Sequence, residues 1–192
     1  GLQRLFDDVG YIESIRPCGI PVSEITNLDA RSQREFVNDM ADRLSTELGD
    51  TSVCVLDSGV NRAHPLLAPV VDDESVLSAD PAWSGLDVNG HGTEMAGVAA
   101  HGDLRRHFES RDGFLARHAV ESVEILPPKG ENEEHLYGAI THDAVYVAEI
   151  ERPARRRAFC MAVTEGKEHE DGRPSAWSAE IDSLASGAGE DD

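Results

Sequence analysis

The sequence is poor in basic residues and cysteine and has no long apolar run, and each shortage excludes a class of protein. Only 17 residues are Lys or Arg against 37 Asp or Glu, which gives a net charge of −20 at pH 7. Because contacts to nucleic-acid phosphates need a basic face, this balance argues against a nucleic-acid partner. No apolar run approaches the roughly 20 residues of a membrane-spanning helix, so we expect no membrane partner.

The three cysteines, Cys18, Cys54 and Cys160, cannot all form disulfides within one chain. Cys54 and Cys160 stand in apolar runs typical of strands, where a free thiol behaves as a small hydrophobic residue. Unpaired cysteines favour a reducing compartment, so we expect a cytoplasmic protein. Without a Cys-x-x-Cys motif or a paired-histidine spacing, the sequence predicts no zinc site, and we expect no cofactor beyond the calcium considered below.

What the chain does contain is an alternation of strand and helix patterns. Residues 53–57, 119–126 and 158–163 have the apolar, β-branched runs of buried strands. Apolar residues recur every three or four positions over 136–150, and Ser175 can cap a further helix. Strands separated by helices predict an α/β fold with a parallel sheet flanked by helices.

A helix is also predicted over residues 30–48, ahead of the first strand. Asp29 is a suitable N-cap and Gly49 a natural stop. Four apolar residues recur at intervals of four and share one face: Phe36, Met40, Leu44 and Leu48. We assign the chain to three parts: an N-terminal extension with this scaffold helix (1–50), the main domain (51–186) and a disordered acidic tail (187–192).

The first strand ends in an acid followed by a tight turn, Asp57-Ser58-Gly59. In α/β folds, reactive groups are placed at the carboxyl ends of the strands. A second motif, Gly90-His91-Gly92, follows 34 positions after Asp57 and opens a helix of small residues. Glycine weakens a helix by about 1 kcal/mol, so its repetition here indicates close packing or function. Asp57 and His91 are therefore our candidate catalytic residues.

These two motifs resemble the first two catalytic motifs of the subtilisin-like serine peptidases, the subtilase or peptidase S8 family, whose order is Asp, His, Ser. The resemblance spans residues 51–185. A bacterial, intracellular-type subset is closer still, because residues 56–61 and 64–67 match its Asp-Ser-Gly and His-Pro-Leu-Leu block residue by residue. The resemblance implies the N-terminal part of a catalytic domain with a partial subtilisin-like, doubly wound fold.

The resemblance also implies a function. It is that of a serine-type endopeptidase, in which Asp57 orients His91 and His91 acts as the general base on a protein or peptide substrate. Four residues are expected along the substrate channel: Val163, Thr164, Glu165 and Gly166. The pair Thr164-Glu165 departs from the Ser-Leu that is usual in that segment of the family.

The family's nucleophile motif, a Gly-Thr-Ser at a helix start, does not occur in the 192 residues. The nearest match, at 49–52, leads into a strand, and the Gly-Asn motif of the oxyanion site is also missing. We therefore expect the chain alone to be inactive, with the remaining half of the catalytic domain, or other copies of the chain, covering an exposed sheet edge. The alternative is a non-catalytic pseudopeptidase or regulatory binding module.

Three further features leave alternatives open. Five acids in the loop over 60–88 leave a calcium site possible, although a solvated acidic loop is expected: Asp72, Asp73, Glu74, Asp80 and Asp87. His64 is expected to be structural, and a metal hydrolase using it with Asp57 and His91 matches no ligand spacing. The locally basic segment 105–118 is expected to be a solvated insertion, with a partner contact as the alternative.

Overall fold

Four parallel strands form the central sheet in the described part of the chain. The computed structural model describes residues 22–164 and 173–187. The strands are β1 Leu44–Thr46, β2 Thr51–Asp57, β3 Val76–Ser78, β4 Phe114–Ala116, β5 Ala119–Glu124 and β6 Arg156–Met161. The helices are α1 Val22–Thr26, α2 Ala30–Arg43, α3 His91–His101, α4 Arg105–Glu109, α5 Tyr137–Glu151 and α6 Ala176–Ser186. Single 3₁₀ turns span Asp73–Ser75 and Glu134–Leu136.

The central sheet has the strand order β3-β5-β2-β6, and every neighbouring pair in it is parallel. The short strands β1 and β4 form a separate parallel pair. The register pairs Asp57 with Glu124 and Leu56 with Met161. The predicted α/β fold with a parallel sheet flanked by helices is confirmed, and β2 lies inside the sheet with its acid at the carboxyl edge.

Alternate residues of β2 face two separate hydrophobic clusters, which places helices on both faces of the sheet. Val55 packs with Ala96 and Ala100 of α3. Leu56 packs on the other face with Ala144 and Ala148 of α5. The alanines let both helices lie close to the sheet, and the strand is buried on both sides as its unbroken apolar run predicts.

Helix α2 is shorter than the sequence predicts. Asp29 caps it by accepting hydrogen bonds from the backbone N–H groups of Arg31 and Ser32, as expected. The predicted continuation to Leu48 is wrong, because the helix ends at Arg43 and Leu44 begins β1. Pairing of residues 44–46 with β4 satisfies backbone groups that a longer helix would have satisfied internally, so tertiary pairing overrides the four-residue periodicity.

The long loop over residues 60–88 is more ordered than a solvated loop. Its apolar residues enter the core on the α3 side of the sheet: Val60, Leu67, Val70 and Val71. Residues 76–78 form β3, which pairs with β5 at the edge of the sheet. The acids Asp72, Asp73 and Glu74 lie on its exposed side.

The two C-terminal helices begin close to their predicted positions. Ser175 caps α6 by accepting a hydrogen bond from the N–H of Ser178, as predicted. In α5 the buried face is formed by Thr141, Ala144 and Ala148. Ile150, the last apolar position of the pattern over 136–150, is 68% exposed, because the helix lies on the sheet through its small residues.

The cysteines that the structure describes are both free thiols. Cys54 is buried in β2, and burial raises the pKa of its thiol. Cys160 is half-buried in β6, and Cys18 lies outside the described residues. Within the described ranges, the helices lack the combination of length and apolar character needed to cross a bilayer.

Candidate active site

Asp57 ends β2 with its side chain fully buried. The N–H of Ser58 donates to Asp57 Oδ1 over 2.8 Å. Gly59 then turns the chain with φ +93°, and a Cβ there would lie 2.5 Å from the carbonyl oxygen of Gly85. Only glycine fits both the backbone conformation and this close approach, so the Asp-Ser-Gly sequence fixes the direction in which the chain leaves Asp57.

His91 is the first residue of α3, and Gly92 brings that end of the helix onto the Asp57 turn. A Cβ on Gly92 would lie 2.1 Å from the carbonyl oxygen of Gly59, so no larger residue fits. The close packing inferred from the glycines is therefore present at Gly92. It is not present at Gly97, where nothing lies within 4 Å of an added Cβ.

The structure brings Asp57 and His91 into direct contact. Nδ1 of His91 lies 2.8 Å from Oδ1 and 3.0 Å from Oδ2 of Asp57. The hydrogen bond that the Asp57 carboxylate accepts from His91, followed by the negative charge of Asp57, raises the pKa of His91. Since the carboxylate accepts from Nδ1–H, neutral His91 carries its lone pair on Nε2. The acid is fully buried and the His91 side chain is 47% exposed, so Nε2 is accessible to a proton donor.

Asp87 is a residue of this site that sequence reasoning placed only in an acidic loop. It accepts hydrogen bonds from Gly90 N, Thr93 N and Thr93 Oγ1, around His91. Burial raises the pKa of Asp87, but the hydrogen bonds from Thr93, Gly90 and Asn89 outweigh it and hold the pKa below its ordinary value. The sequence signal was an Asp four positions before the His, in an Asp-x-Asn-Gly turn.

Glu124 is a second acid that the sequence did not identify. It is fully buried beside Asp57 in the register of β2 and β5, and it accepts a hydrogen bond from Gly85 N over 2.8 Å. Burial raises the pKa of Glu124, and the nearby Asp87 charge adds to the rise. No sequence pattern marked it, because its burial depends on the loop containing Gly85 folding over the sheet.

A groove of about 510 Å³ lies next to the turn that leads into His91. Two of the predicted channel residues, Val163 and Thr164, line it together with Asn89, which precedes His91 by two positions. Its far wall includes Tyr137 and Trp177, whose ring centroids are 5.0 Å apart. The indole N–H of Trp177 donates to Thr141 Oγ1. The other two predicted residues, Glu165 and Gly166, lie outside the described residues.

His64 is half-buried and makes its side-chain hydrogen bond to a residue close by in the sequence. Its Nδ1 accepts a hydrogen bond from the backbone N–H of Leu66, and burial lowers its pKa. Across residues 22–164 and 173–187, no group of three or more His, Cys, Asp or Glu side chains is arranged to hold a metal ion. The geometry therefore gives no support to the metal-hydrolase alternative with His64.

The loop acids considered for calcium are mostly paired with arginines. Asp72 and Glu74 both contact Arg152, and Asp73 contacts Arg62. Asp80 accepts from the backbone N–H of Ala82. Three of these carboxylates therefore bind arginines and Asp80 binds a backbone N–H, and within the described ranges they are not grouped as the oxygen cage that calcium requires.

Two other candidates from the sequence lie away from Asp57 and His91. Ser52, the serine of the nucleophile-like sequence, donates to Glu121 at the amino end of the sheet over 2.6 Å. In the segment 105–118, Arg105 pairs with Asp103 and Arg117 with Glu47. Local acids thus offset part of the positive charge in that segment.

Comparison with known proteins agrees with this geometry. The sequence model of the subtilase family (peptidase S8) matches residues 49–192, three quarters of the chain. Searches of curated proteins and of solved structures found no match. The matched region contains the strand that ends in Asp57, the helix that begins at His91 and the whole central sheet. The chain belongs to the subtilase family of serine peptidases.

Proposed function

We propose that this chain carries two of the three catalytic residues of a serine endopeptidase, with Asp57 as the orienting acid and His91 as the general base. The contact between Nδ1 of His91 and the buried carboxylate of Asp57 supports this assignment best. Asp57 fixes the tautomer and stabilises the imidazolium. His91 takes a proton from the attacking hydroxyl at Nε2 and returns it to the leaving amine.

The attacking serine is proposed to come from polypeptide outside these 192 residues. Ser52 is held by Glu121 at the opposite end of the sheet. Ser58 is close in sequence, but its hydroxyl accepts from Gly92 N and lies within hydrogen-bond distance of Asp87 and Asn89. Within the described ranges, no side chain makes a hydrogen bond to Nε2 of His91, which leaves that atom to an incoming hydroxyl.

The groove lined by Val163 and Thr164 is proposed to hold part of a peptide substrate. Its volume of about 510 Å³ is within the range of roughly 300–1,000 Å³ typical of ligand sites. Asn89 links it to the His91 turn, so a peptide in the groove would pass close to the general base. The aromatic wall formed by Tyr137 and Trp177 favours an apolar side chain in this position.

The remaining half of the catalytic domain is proposed to pair with β6. Among the described strands β6 contacts only β2, and its other edge is open. Phe159 on this strand is 40% exposed. An open edge with exposed apolar residues is a surface that proteins cover, either by further strands or by another copy of the chain.

The test expresses the complete natural reading frame that contains these 192 residues, here called the extended protein, and exposes the product to a fluorophosphonate probe. We expect labelling of one serine in the extended protein and none in the 192 residues alone. His91→Ala and Asp57→Asn should each reduce labelling of the extended protein below the detection limit. His135→Ala is the matched control, because His135 is an exposed histidine that pairs with exposed Glu133.

Failure of the extended protein to label, despite an intact Gly-Thr-Ser motif, would contradict the endopeptidase proposal. A reading frame without any such motif would favour the alternative, a scaffold that binds a partner without cleaving it.

A further inference from the structure

Asp87 makes an unusually complete set of hydrogen bonds for a loop acid. Its Oδ2 accepts from Thr93 N over 2.7 Å and from Thr93 Oγ1 over 2.6 Å. Its Oδ1 accepts from Gly90 N over 2.8 Å and from Asn89 N over 3.1 Å. The donors lie on both sides of His91 in the sequence, so one carboxylate holds the turn before it and the helical residue after it.

The same carboxylate reaches the other half of the catalytic pair. The hydroxyl of Ser58, which directly follows Asp57, lies 3.0 Å from Asp87 Oδ1. Ser58 Oγ also accepts from Gly92 N, the residue after His91. Asp87 and Ser58 therefore connect the end of β2 to the start of α3 by a short hydrogen-bonded path that does not pass through the Asp57–His91 contact.

This path replaces an ordinary helix cap. Gly90 occupies the N-cap position of α3 with φ +96° and has no side chain to accept from the helix. The free N–H groups at a helix start need acceptors and favour negative charge. Asp87, three residues before Gly90, supplies both the hydrogen-bond acceptors and the negative charge.

The exposure of His91 makes this support important. Nearly half of its side chain is exposed, so packing restrains the ring little. The ring is held by the Asp57 carboxylate and by the backbone from which it projects. A movement of the 87–93 turn would therefore change the distance between Nδ1 of His91 and the Asp57 carboxylate.

We infer that Asp87 is a positioning residue for the Asp57–His91 pair: it fixes the backbone on both sides of His91 so that the imidazole meets the Asp57 carboxylate. The inference rests on the proposed function for its catalytic meaning, although its geometric part concerns only this chain. Asp87→Asn keeps the size of the side chain but replaces an ionised oxygen with an amide nitrogen that cannot accept from Thr93 or Gly90.

The test is an NMR measurement of His91 in Asp87→Asn and in the matched control Asp80→Asn. Asp80 lies in the same loop, and its side chain accepts a backbone hydrogen bond from Ala82 rather than from a residue of the 87–93 turn. We expect Asp87→Asn to weaken or remove the low-field Nδ1–H resonance through faster exchange with water and to lower the His91 pKa. Asp80→Asn should leave both as in the parent.

Loss of the Asp87 charge alone would also lower the His91 pKa. Measurements at low and high salt therefore separate this electrostatic effect from a displaced backbone around His91. A purely electrostatic change fades at high ionic strength, whereas a lost Nδ1–H resonance does not. Persistence of the parent resonance in folded Asp87→Asn would overturn the inference.

If Asp87→Asn does not fold, Thr93→Val and Thr93→Ser decide the matter. Thr93→Val removes the hydroxyl that donates to Asp87 and should reproduce the weakened resonance, while Thr93→Ser should restore it. Identical resonances in both Thr93 variants would overturn the inference. In the extended protein, Asp87→Asn should slow fluorophosphonate labelling at least tenfold. If the parent itself does not label, the proposed function fails while the resonances still decide the role of Asp87.

Discussion

The two ends of the central sheet hold buried acids in opposite surroundings. At the amino end, Glu121 accepts from Nε and Nη2 of Arg157 over 2.8 and 3.0 Å and from the hydroxyl of Ser52. At the carboxyl end, Asp57 is equally buried but faces the half-exposed ring of His91. The acids lie on neighbouring strands of one sheet, β5 and β2.

The partner, rather than the burial of the acid, separates structural from chemical roles. A guanidinium remains protonated at any physiological pH, so the Glu121–Arg157 pair has no proton to exchange. An imidazole changes charge near neutral pH, so the Asp57–His91 pair can accept and return a proton. The amino end therefore joins β2, β5 and β6, whereas the carboxyl end holds the pair that can exchange a proton.

The largest expected effect comes from breaking the amino-end pair. Arg157→Met removes the closest cation of buried Glu121 and leaves it, among the described residues, with Arg155, whose Nη1 lies 3.8 Å from Oε1. Removal of one partner from a buried pair costs about 3–5 kcal/mol. Urea unfolding of the variant should show this loss. Arg156→Met is the matched control, since Arg156 is the exposed neighbour on β6 and pairs with exposed Asp50. Equal stability of the two variants would show that the amino end is not held by its buried pair.

A smaller effect is expected at the carboxyl end from Gly92→Ala. The new Cβ would overlap the Gly59 carbonyl, and overpacking of this kind typically costs about 1–3 kcal/mol. Gly97→Ala in the same helix is the control. It adds a methyl group into open space and should stabilise the protein by roughly 0.5–1 kcal/mol. A lowered melting temperature for Gly92→Ala and a raised one for Gly97→Ala would confirm that the helix contacts the Gly59 turn through Gly92. Changes in the same direction would contradict it.

The sequence predicts the Asp57–His91 pair at the carboxyl end of the sheet but not the buried ion pair at the amino end. The motifs around Asp57 and His91 are local, and glycine requirements at Gly59 and Gly92 are written into them. Runs of apolar residues likewise predicted β2 and β5. These features depend on residues that are neighbours along the chain, so a local pattern records them.

The remaining features depend on which distant segments meet. Glu121 is 36 residues from Arg157 and 69 from Ser52, and no local pattern marks any of them as partners. The role of Asp87 requires the loop before α3 to fold over Ser58. The early end of α2 likewise follows from the pairing of Leu44 with Phe114.

The Asp57–His91 contact predicts a dependence of stability on pH. Because the folded-state pKa of His91 is raised, the contact contributes stability that is fully present below the ordinary pKa of 6.5. This stability is lost as pH rises through the folded-state pKa. Asp57→Asn should remove this loss and lower the His91 pKa in an NMR titration. His142→Ala, at a half-exposed histidine on α5, should leave both unchanged. An unaltered His91 pKa in Asp57→Asn would remove the chemical distinction between the two ends.

The smallest effect is expected from Glu124, the buried acid that has no arginine partner. Since burial raises its folded-state pKa, its contribution to stability is complete below the ordinary value of 4.5 and is lost as pH rises through the folded pKa. Glu124→Gln keeps an oxygen to accept from Gly85 N and cannot ionise. As pH rises above 4.5, the unfolding free energy of the variant should therefore fall less than that of the parent. Glu131→Gln, at an exposed position, should keep the parent slope. Should Glu124→Gln also keep it, Glu124 would be ionised in the fold, and an unpaired buried charge would then separate the carboxyl end from the amino end even more sharply.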